Sequence, residues 1–341
     1  MTGSADIDLD GPPAPLLEVR DLRVHFKTDY GIVKAVDGVS WSVNEGETLA
    51  IVGESGSGKS VTGLTIMRLL ARTPGRVEGG SIRFRGRDGH VVDLLDLSED
   101  RMAQVRGRDI AMIFQDPMSS LNPVFSVGDQ IAEPIRIHRW ATRQDARAQA
   151  IDLLRQVGIT DPGQRVDDYP HQLSGGMRQR VMIATALACD PKLLIADEPT
   201  TALDVTIQAQ IITLLKTLQR ERKMAMIFVT HDLKLVEEIA DHVAVMYASQ
   251  IVEQGPAAEI LMRPRHPYTR ALLDCTPHGA RNRRLSPIPG SLPNPISPPQ
   301  GCRFHPRCGF AREACVAGEP PLEEVSADHV TRCIRWREID L

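Results

Sequence analysis

Residues 53–60 read GESGSGKS, and the fixed positions of G-x-x-x-x-G-K-[ST] fall on Gly53, Gly58, Lys59 and Ser60. Glycines at this spacing let successive backbone N–H groups, those around Ser55 and Gly56 included, turn inward as an anion nest. A helix that opens near Lys59 and carries Ser60 and Val61 in its first turn aims its positive end at the same anion. The Lys59 ammonium adds a full charge for the terminal phosphates of a nucleotide, and the Ser60 hydroxyl suits Mg2+. A second constellation lies at residues 193–198, LLIADE, where an apolar run ends in Asp197 and Glu198. Asp197 is placed to hold Mg2+, directly or through water. Glu198 is placed to polarise an attacking water as general base. Two adjacent acids, where one would serve a metal, predict hydrolysis and not binding alone.

Both constellations need strands to deliver them. ETLAIVG is a short apolar run that reads as a buried strand feeding the glycine loop, and SVTGLTIMRLL follows with helical spacing. KLLIAD and MAMIFVT are continuous hydrophobic runs, each followed by a helical segment. That alternation predicts an α/β fold with a parallel sheet covered on both faces. From Leu17 to Val43 apolar and polar positions alternate, as in half-buried strands. From about Ser98 to Leu187 helical patterns dominate, RQDARAQAIDLLRQVG ending at a glycine as helices often do. No internal repeat is visible.

The chain has 341 residues, 42% of them hydrophobic, which predicts one large domain and a smaller one. Its formal charge is −4, from 40 basic and 44 acidic residues, a balance that argues against a protein wrapping a nucleic-acid backbone. The opening MTGSADIDLDGPPAPL has neither a basic n-region nor an apolar h-region, so residues 1–16 are expected to be a flexible tail and the location cytosolic. Nowhere do eighteen apolar residues run consecutively.

Between the two constellations stands LSGGMRQR, residues 173–180. It resembles the signature motif of ABC-type ATPases, with Met177 where the usual form has Gln. The resemblance extends in order along residues 17–255. Gln115 in MIFQDP matches the Q-loop glutamine, Asp204 in TTALD the D-loop aspartate, and His231 in FVTHD the switch histidine. Tyr30 or Phe26 matches the aromatic that stacks on adenine. The resemblance implies a RecA-like parallel core, an antiparallel β region and a helical subdomain at about 105–185. It also implies head-to-tail pairing, in which Ser174, Gly175 and Gly176 of one protomer close on the γ-phosphate of ATP held by its partner. His231 then contacts that phosphate, and Gln115 joins the Mg2+ site and links it to a permease contact.

Beyond Gly255 the composition shifts. HPYTRALL (266–273), the proline-dense SPIPGSLPNPISPPQG (286–301) and GCRFHPRC resemble the C-terminal extension, here 256–341, of oligopeptide/dipeptide importer ATPases of the D/F type. That branch implies a peripheral protein at the cytoplasmic face of the membrane. Its partners would be a second, related ATPase subunit, two transmembrane permease subunits and an extracytoplasmic peptide-binding protein. Related systems carry nickel. The alternative is an ABC-type ATPase energising uptake of nickel or another small solute. ABC ATPases that act on nucleic acid or ribosomes are less favoured: those usually carry two ATPase domains or long coiled-coil or zinc insertions, whereas this chain has one ATPase domain, no heptad insertion and no basic tract. A regulatory subunit with degenerate motifs is disfavoured by the intact Glu198 and SGG.

Four of the six cysteines, Cys302, Cys308, Cys315 and Cys333, fall in this extension as C-x5-C-x6-C-x17-C, whereas Cys189 and Cys275 are scattered. Four thiolates are a full ligand set for a [4Fe–4S] cluster or for Zn2+, and disulfides are disfavoured in the cytosol. The branch resemblance implies the iron–sulfur cluster, with zinc second. A proline-rich segment that cannot build its own core would gain its fold from such a centre.

Overall fold

The alternating N-terminal stretch folds as a hairpin of two long strands, β1 (Leu17–Thr28) and β2 (Gly31–Val43). The computed structural model describes residues 14–201, 203–275 and 287–341, with Ala71, Arg72, Pro117 and Met118 described by backbone alone. Most of the expected N-terminal tail, Ser286 of the proline-dense stretch and Ala202 of TTALD therefore lie outside the described residues. Leu16 is already buried, and its N–H donates to Val43 O at 2.9 Å. β4 (Gly75–Arg85) and β5 (Val91–Asp93) complete an antiparallel sheet of order β2-β1-β4-β5.

The second sheet holds eight strands. β3 (Thr48–Val52), β6 (Ile110–Ile113), β7 (Leu193–Asp197), β8 (Ala225–Thr230) and β9 (His242–Tyr247) run parallel in the order β9-β3-β8-β7-β6. Every residue of β3, β7 and β8 is buried, which is why these segments read as unbroken apolar runs. β10 (Gln250–Pro256) turns back antiparallel on β9.

Between β6 and β7 lie α3 (Pro117–Ser120), α4 (Val127–Arg139), α5 (Arg143–Gln156), α6 (Pro162–Arg165) and α7 (Gly175–Ala186); α1 (Lys59–Ile66) and α2 (Glu99–Val105) precede them. Ser126, Thr142 and Ser174 cap α4, α5 and α7, each side chain accepting from the backbone N–H three residues on. Ile131, Leu154 and Ile183 of these helices share one core with Leu194 and Phe228 of the sheet, so the helical region is welded to the strands that carry the acids. One segment departs from the sequence pattern. Ile110–Ile113 is the edge strand β6, not helix, because four apolar residues are too few to show either period. The remaining helices are α8 (Val205–Arg222), α9 (Leu233–Ile239), α10 (Ala257–Met262) and α11 (Pro267–Asp274).

The C-terminal extension continues the large sheet. β12 (His329–Thr331) pairs with β10, and β11 (Glu323–Ser326) pairs with β12. A buried polar knot ties them: Glu253 of β10 meets His329 Nε2 at 2.8 Å, both residues within 1% of full burial. The Glu253 carboxylate also accepts from the N–H groups of Arg265 and His266. Burial lowers the His266 imidazole to about 3, so it sits neutral, its Nδ1 accepting from Tyr268 N. Removing one partner of such a buried pair strands the other. Glu253→Ala should therefore destabilise the protein by about 3 kcal/mol. The checks are a lowered denaturation midpoint and earlier proteolytic loss of the segment bearing β11 and β12.

Candidate active site

Four strands of the parallel sheet end on the same side, and a predicted site residue stands at or just beyond each end. Gly53 follows β3, Asp197 closes β7, His231 follows β8, and Gln115 lies two residues past β6. A parallel sheet gathers its strand-end loops in this way, so residues far apart in sequence meet at one edge.

The loop after β3 is shaped by close backbone contacts. Gly53 has φ +155°, and a Cβ there would sit 2.1 Å from Met246 O; Gly58 has φ +105°, and its Cβ would sit 2.3 Å from Ala35 O. Side chains at either position would push the loop off the sheet. Lys59 folds back over the loop, Nζ donating to Gly53 O at 2.7 Å and Glu54 O at 3.0 Å. Burial pulls the Lys59 pKa down, against the opposing pull of Glu198, Asp197 and Glu54. Inside the same loop the Ser57 hydroxyl is buried without a hydrogen-bond partner among the described residues. Sequence reading passed over it because position 57 of the motif is variable.

Ser60 Oγ donates to Asp197 Oδ1 at 2.9 Å. The two residues expected to share Mg2+ are thus already in contact. Burial raises the Asp197 pKa, and the Ser60 hydroxyl partly offsets that. Glu198 holds φ +45°, a left-handed conformation costly for a residue with a Cβ. Its N–H is anchored on Val229 O at 3.0 Å. The turn throws its carboxylate back over the strand ends, where it accepts from Gln115 Nε2 at 3.1 Å and Thr201 Oγ1 at 2.9 Å, with His231 Nδ1 at 3.4 Å. Gln115, Thr201 and His231 therefore converge on the Glu198 carboxylate. Thr201 was missed by sequence reading, although a hydroxyl three residues after the acid, in DEPTT, was its visible signal.

The other predicted residues divide. Asp204 caps α8, Oδ1 accepting from Ile207 N at 3.0 Å. Ser174 caps α7 through Met177 N at 3.3 Å, and with Gly175 it is exposed, open to a group from outside the chain. Tyr30, at the β1–β2 turn, is 89% exposed, whereas Phe26 packs its ring against Gly75 and joins the core.

In the extension, Cys302, Cys308, Cys315 and Cys333 line a single small cavity with Phe304 and Phe310. None is in a disulfide. Burial raises the pKa of Cys302 and Cys308 and pushes Cys333 up to about 12. Among the described residues no three His, Cys, Asp or Glu side chains stand close enough to grip a single metal ion.

A glycine loop with its lysine, a Ser60–Asp197 pair and a glutamate gripped by Gln115 and His231 define a nucleotide-hydrolysing ATPase of the cassette type. Comparison with known proteins agrees. The ABC transporter family model matches residues 36–201, and the model described as oligopeptide/dipeptide transporter, C-terminal region, matches residues 252–315. A peptide import ATP-binding protein of Brucella melitensis is 55% identical over 332 residues, covering 95% of this chain and 98% of its own. The dipeptide transport ATP-binding protein DppD of Escherichia coli is 52% identical over 319 residues, covering 93% and 96%. Among solved structures, the ATP-binding cassette MJ0796, a dimer bound to ADP and Pi, superposes with a TM-score of 0.62 at 26% identity, covering 71% of this chain and 98% of that one. The chain belongs to the ATP-binding subunits of the ABC transporter family, in the branch that carries the oligopeptide/dipeptide C-terminal region.

The two aromatics can be separated by experiment. Tyr30→Ala should weaken ATP binding about tenfold through lost base stacking while leaving the melting midpoint unchanged. Phe26→Ala should cost on the order of 2 kcal/mol of stability with little effect on affinity. Calorimetric titration and thermal denaturation of both variants read the two effects.

Proposed function

We propose that this chain is the ATP-hydrolysing subunit that energises a membrane permease importing dipeptides or oligopeptides. The convergence of Gln115, Thr201 and His231 on Glu198, beside the Ser60–Asp197 pair, supports hydrolysis. The names of the peptide-import and dipeptide-transport relatives, together with the matched C-terminal region, support the cargo. Among the described residues no helix is long and apolar enough to cross a membrane, which fits a subunit that works on permease chains from the cytoplasmic face. The wider assembly in this reading has a second, related ATPase subunit, two permease subunits and an extracytoplasmic peptide-binding protein.

In this mechanism the backbone N–H groups of the glycine loop bind the phosphates. Lys59 exchanges its two carbonyl partners for phosphate oxygens, and Tyr30 stacks on adenine. Ser60 and Asp197, with Gln115, would hold Mg2+, which neutralises phosphate charge when bound. Glu198 orients and polarises water, and its Gln115, Thr201 and His231 contacts keep the carboxylate aimed. His231 is placed to reach the γ-phosphate and steady the developing charge. Ser174, Gly175 and Gly176 present a helix N-terminus to the nucleotide of the partner protomer, and Asp204 stands at the facing turn. Residues 17–255 form the ATPase unit and 256–341 the extension.

The four-cysteine cavity is read as a [4Fe–4S] site with a structural role. Four cysteines lining one hollow would offer a full set of thiolate ligands for such a cluster. Protein purified anaerobically should carry about four iron atoms per chain with matching sulfide. Cys308→Ser or Cys315→Ser should abolish the brown colour and loosen the tail. Iron-free, zinc-loaded protein would reverse the order of the two metals.

For the ATPase itself, Glu198→Gln should bind ATP at close to native affinity, turn over at least 100-fold more slowly, and accumulate as a nucleotide-closed dimer. Size-exclusion chromatography with ATP, alongside phosphate release, checks both. Rapid hydrolysis by this variant would remove Glu198 from the base role.

A further inference from the structure

The arginines flanking the first two tail cysteines both reach back to the nucleotide end of the molecule. Arg303, next to Cys302, pairs with buried Asp37 of β2 and donates to Ala248 O at 2.6 Å. Arg307, next to Cys308, makes a fork on Glu54: NH1 to Oε2 at 2.9 Å and NH2 to Oε1 at 3.2 Å. Its side chain is only 7% exposed, and it is held by Pro289 O at 2.8 Å and Tyr247 Oη at 3.4 Å. Glu54 is a variable position of the phosphate loop. Its N–H donates to Tyr268 Oη at 2.9 Å, and its carbonyl accepts from Lys59 Nζ.

Phosphate binding does not ask for a carboxylate at position 54. A negative charge there opposes a polyphosphate, and an unpaired one would weaken the nest. A guanidinium fork cancels that charge and fixes the plane of the carboxylate, which a lysine would not. We propose that Arg307 is a positioning residue for nucleotide binding: it neutralises Glu54 and pins the phosphate loop from the cysteine-bearing segment. This rests on the reading of residues 53–60 as the ATP site. It makes the extension part of the ATP site's frame.

The test uses the full chain with Mg2+ and ATP, comparing Arg307→Gln, Arg307→Lys, Glu54→Gln and the Arg307→Gln/Glu54→Gln double variant. Arg307→Gln should weaken ATP binding about tenfold, raising KM with kcat within about twofold. Arg307→Lys should fall between it and the native chain. Glu54→Gln should bind ATP no more weakly than the native protein. The double variant should recover most of the affinity, because the uncancelled carboxylate is gone. Native affinity in Arg307→Gln, or a double variant as weak as Arg307→Gln, overturns the proposal. Where Arg307→Gln does not fold, Glu54→Gln decides, and a loss beyond about threefold in it counts against the proposal. Lys59→Ala separates this from the ATP-site reading. If the native chain binds ATP and Lys59→Ala does not, a normal Arg307→Gln removes only the role of Arg307.

Discussion

A single buried ammonium governs the catalytic end of the molecule. Lys59 is buried, and the desolvation that lowers its pKa is opposed by the carboxylates of Glu198, Asp197 and Glu54. Desolvation disfavours the charged lysine, and like charge disfavours the clustered carboxylates. Each side makes the other tenable. The same balance leaves the loop ready for phosphate. Lys59 is held by two loop carbonyls that a stronger anionic acceptor displaces, so the charge is in position before the nucleotide arrives and little reorganisation is needed.

That balance survives only if the strands deliver their ends in register. β3, β8 and β7 are neighbours and fully buried, so their termini cannot slide without exposing apolar surface. The strained left-handed turn at Glu198 is tolerated because its N–H is bonded to β8 and its carboxylate to three partners. Strain at that residue, paid for by the sheet, turns the carboxylate away from the direction an extended strand would give it.

What could be read from the sequence follows from how local each signal is. The glycine loop, the acids after LLIAD and the histidine after MAMIFVT were legible because an apolar run and its adjoining polar residues are contiguous. Phe26 and Tyr30 were inseparable in sequence; only packing against Gly75 commits the phenylalanine to the core. β6 hid inside a helical stretch because four residues do not establish a period. Ser57 and Thr201 carry no motif weight, and their importance lies in what faces them. Least visible of all were Glu54 and Arg307, 253 positions apart, each unremarkable until the fold brings them together.

The same long-range logic explains how a turn-rich extension stays in place. Residues 302–315 are built from tight turns, with Cys302 N on Cys315 O at 2.8 Å and few bonds of regular structure. Phe304 of this segment is buried in the core against Tyr247 and Tyr268. Three polar anchors add to that packing: β12 on β10 with the Glu253–His329 knot, Arg303 on Asp37, and Arg307 on Glu54. Between these anchors the four cysteines line one hollow with Phe304 and Phe310, and burial raises the pKa of Cys302, Cys308 and Cys333. The anchors set the shape of the hollow from outside, so the cysteines need not find one another unaided.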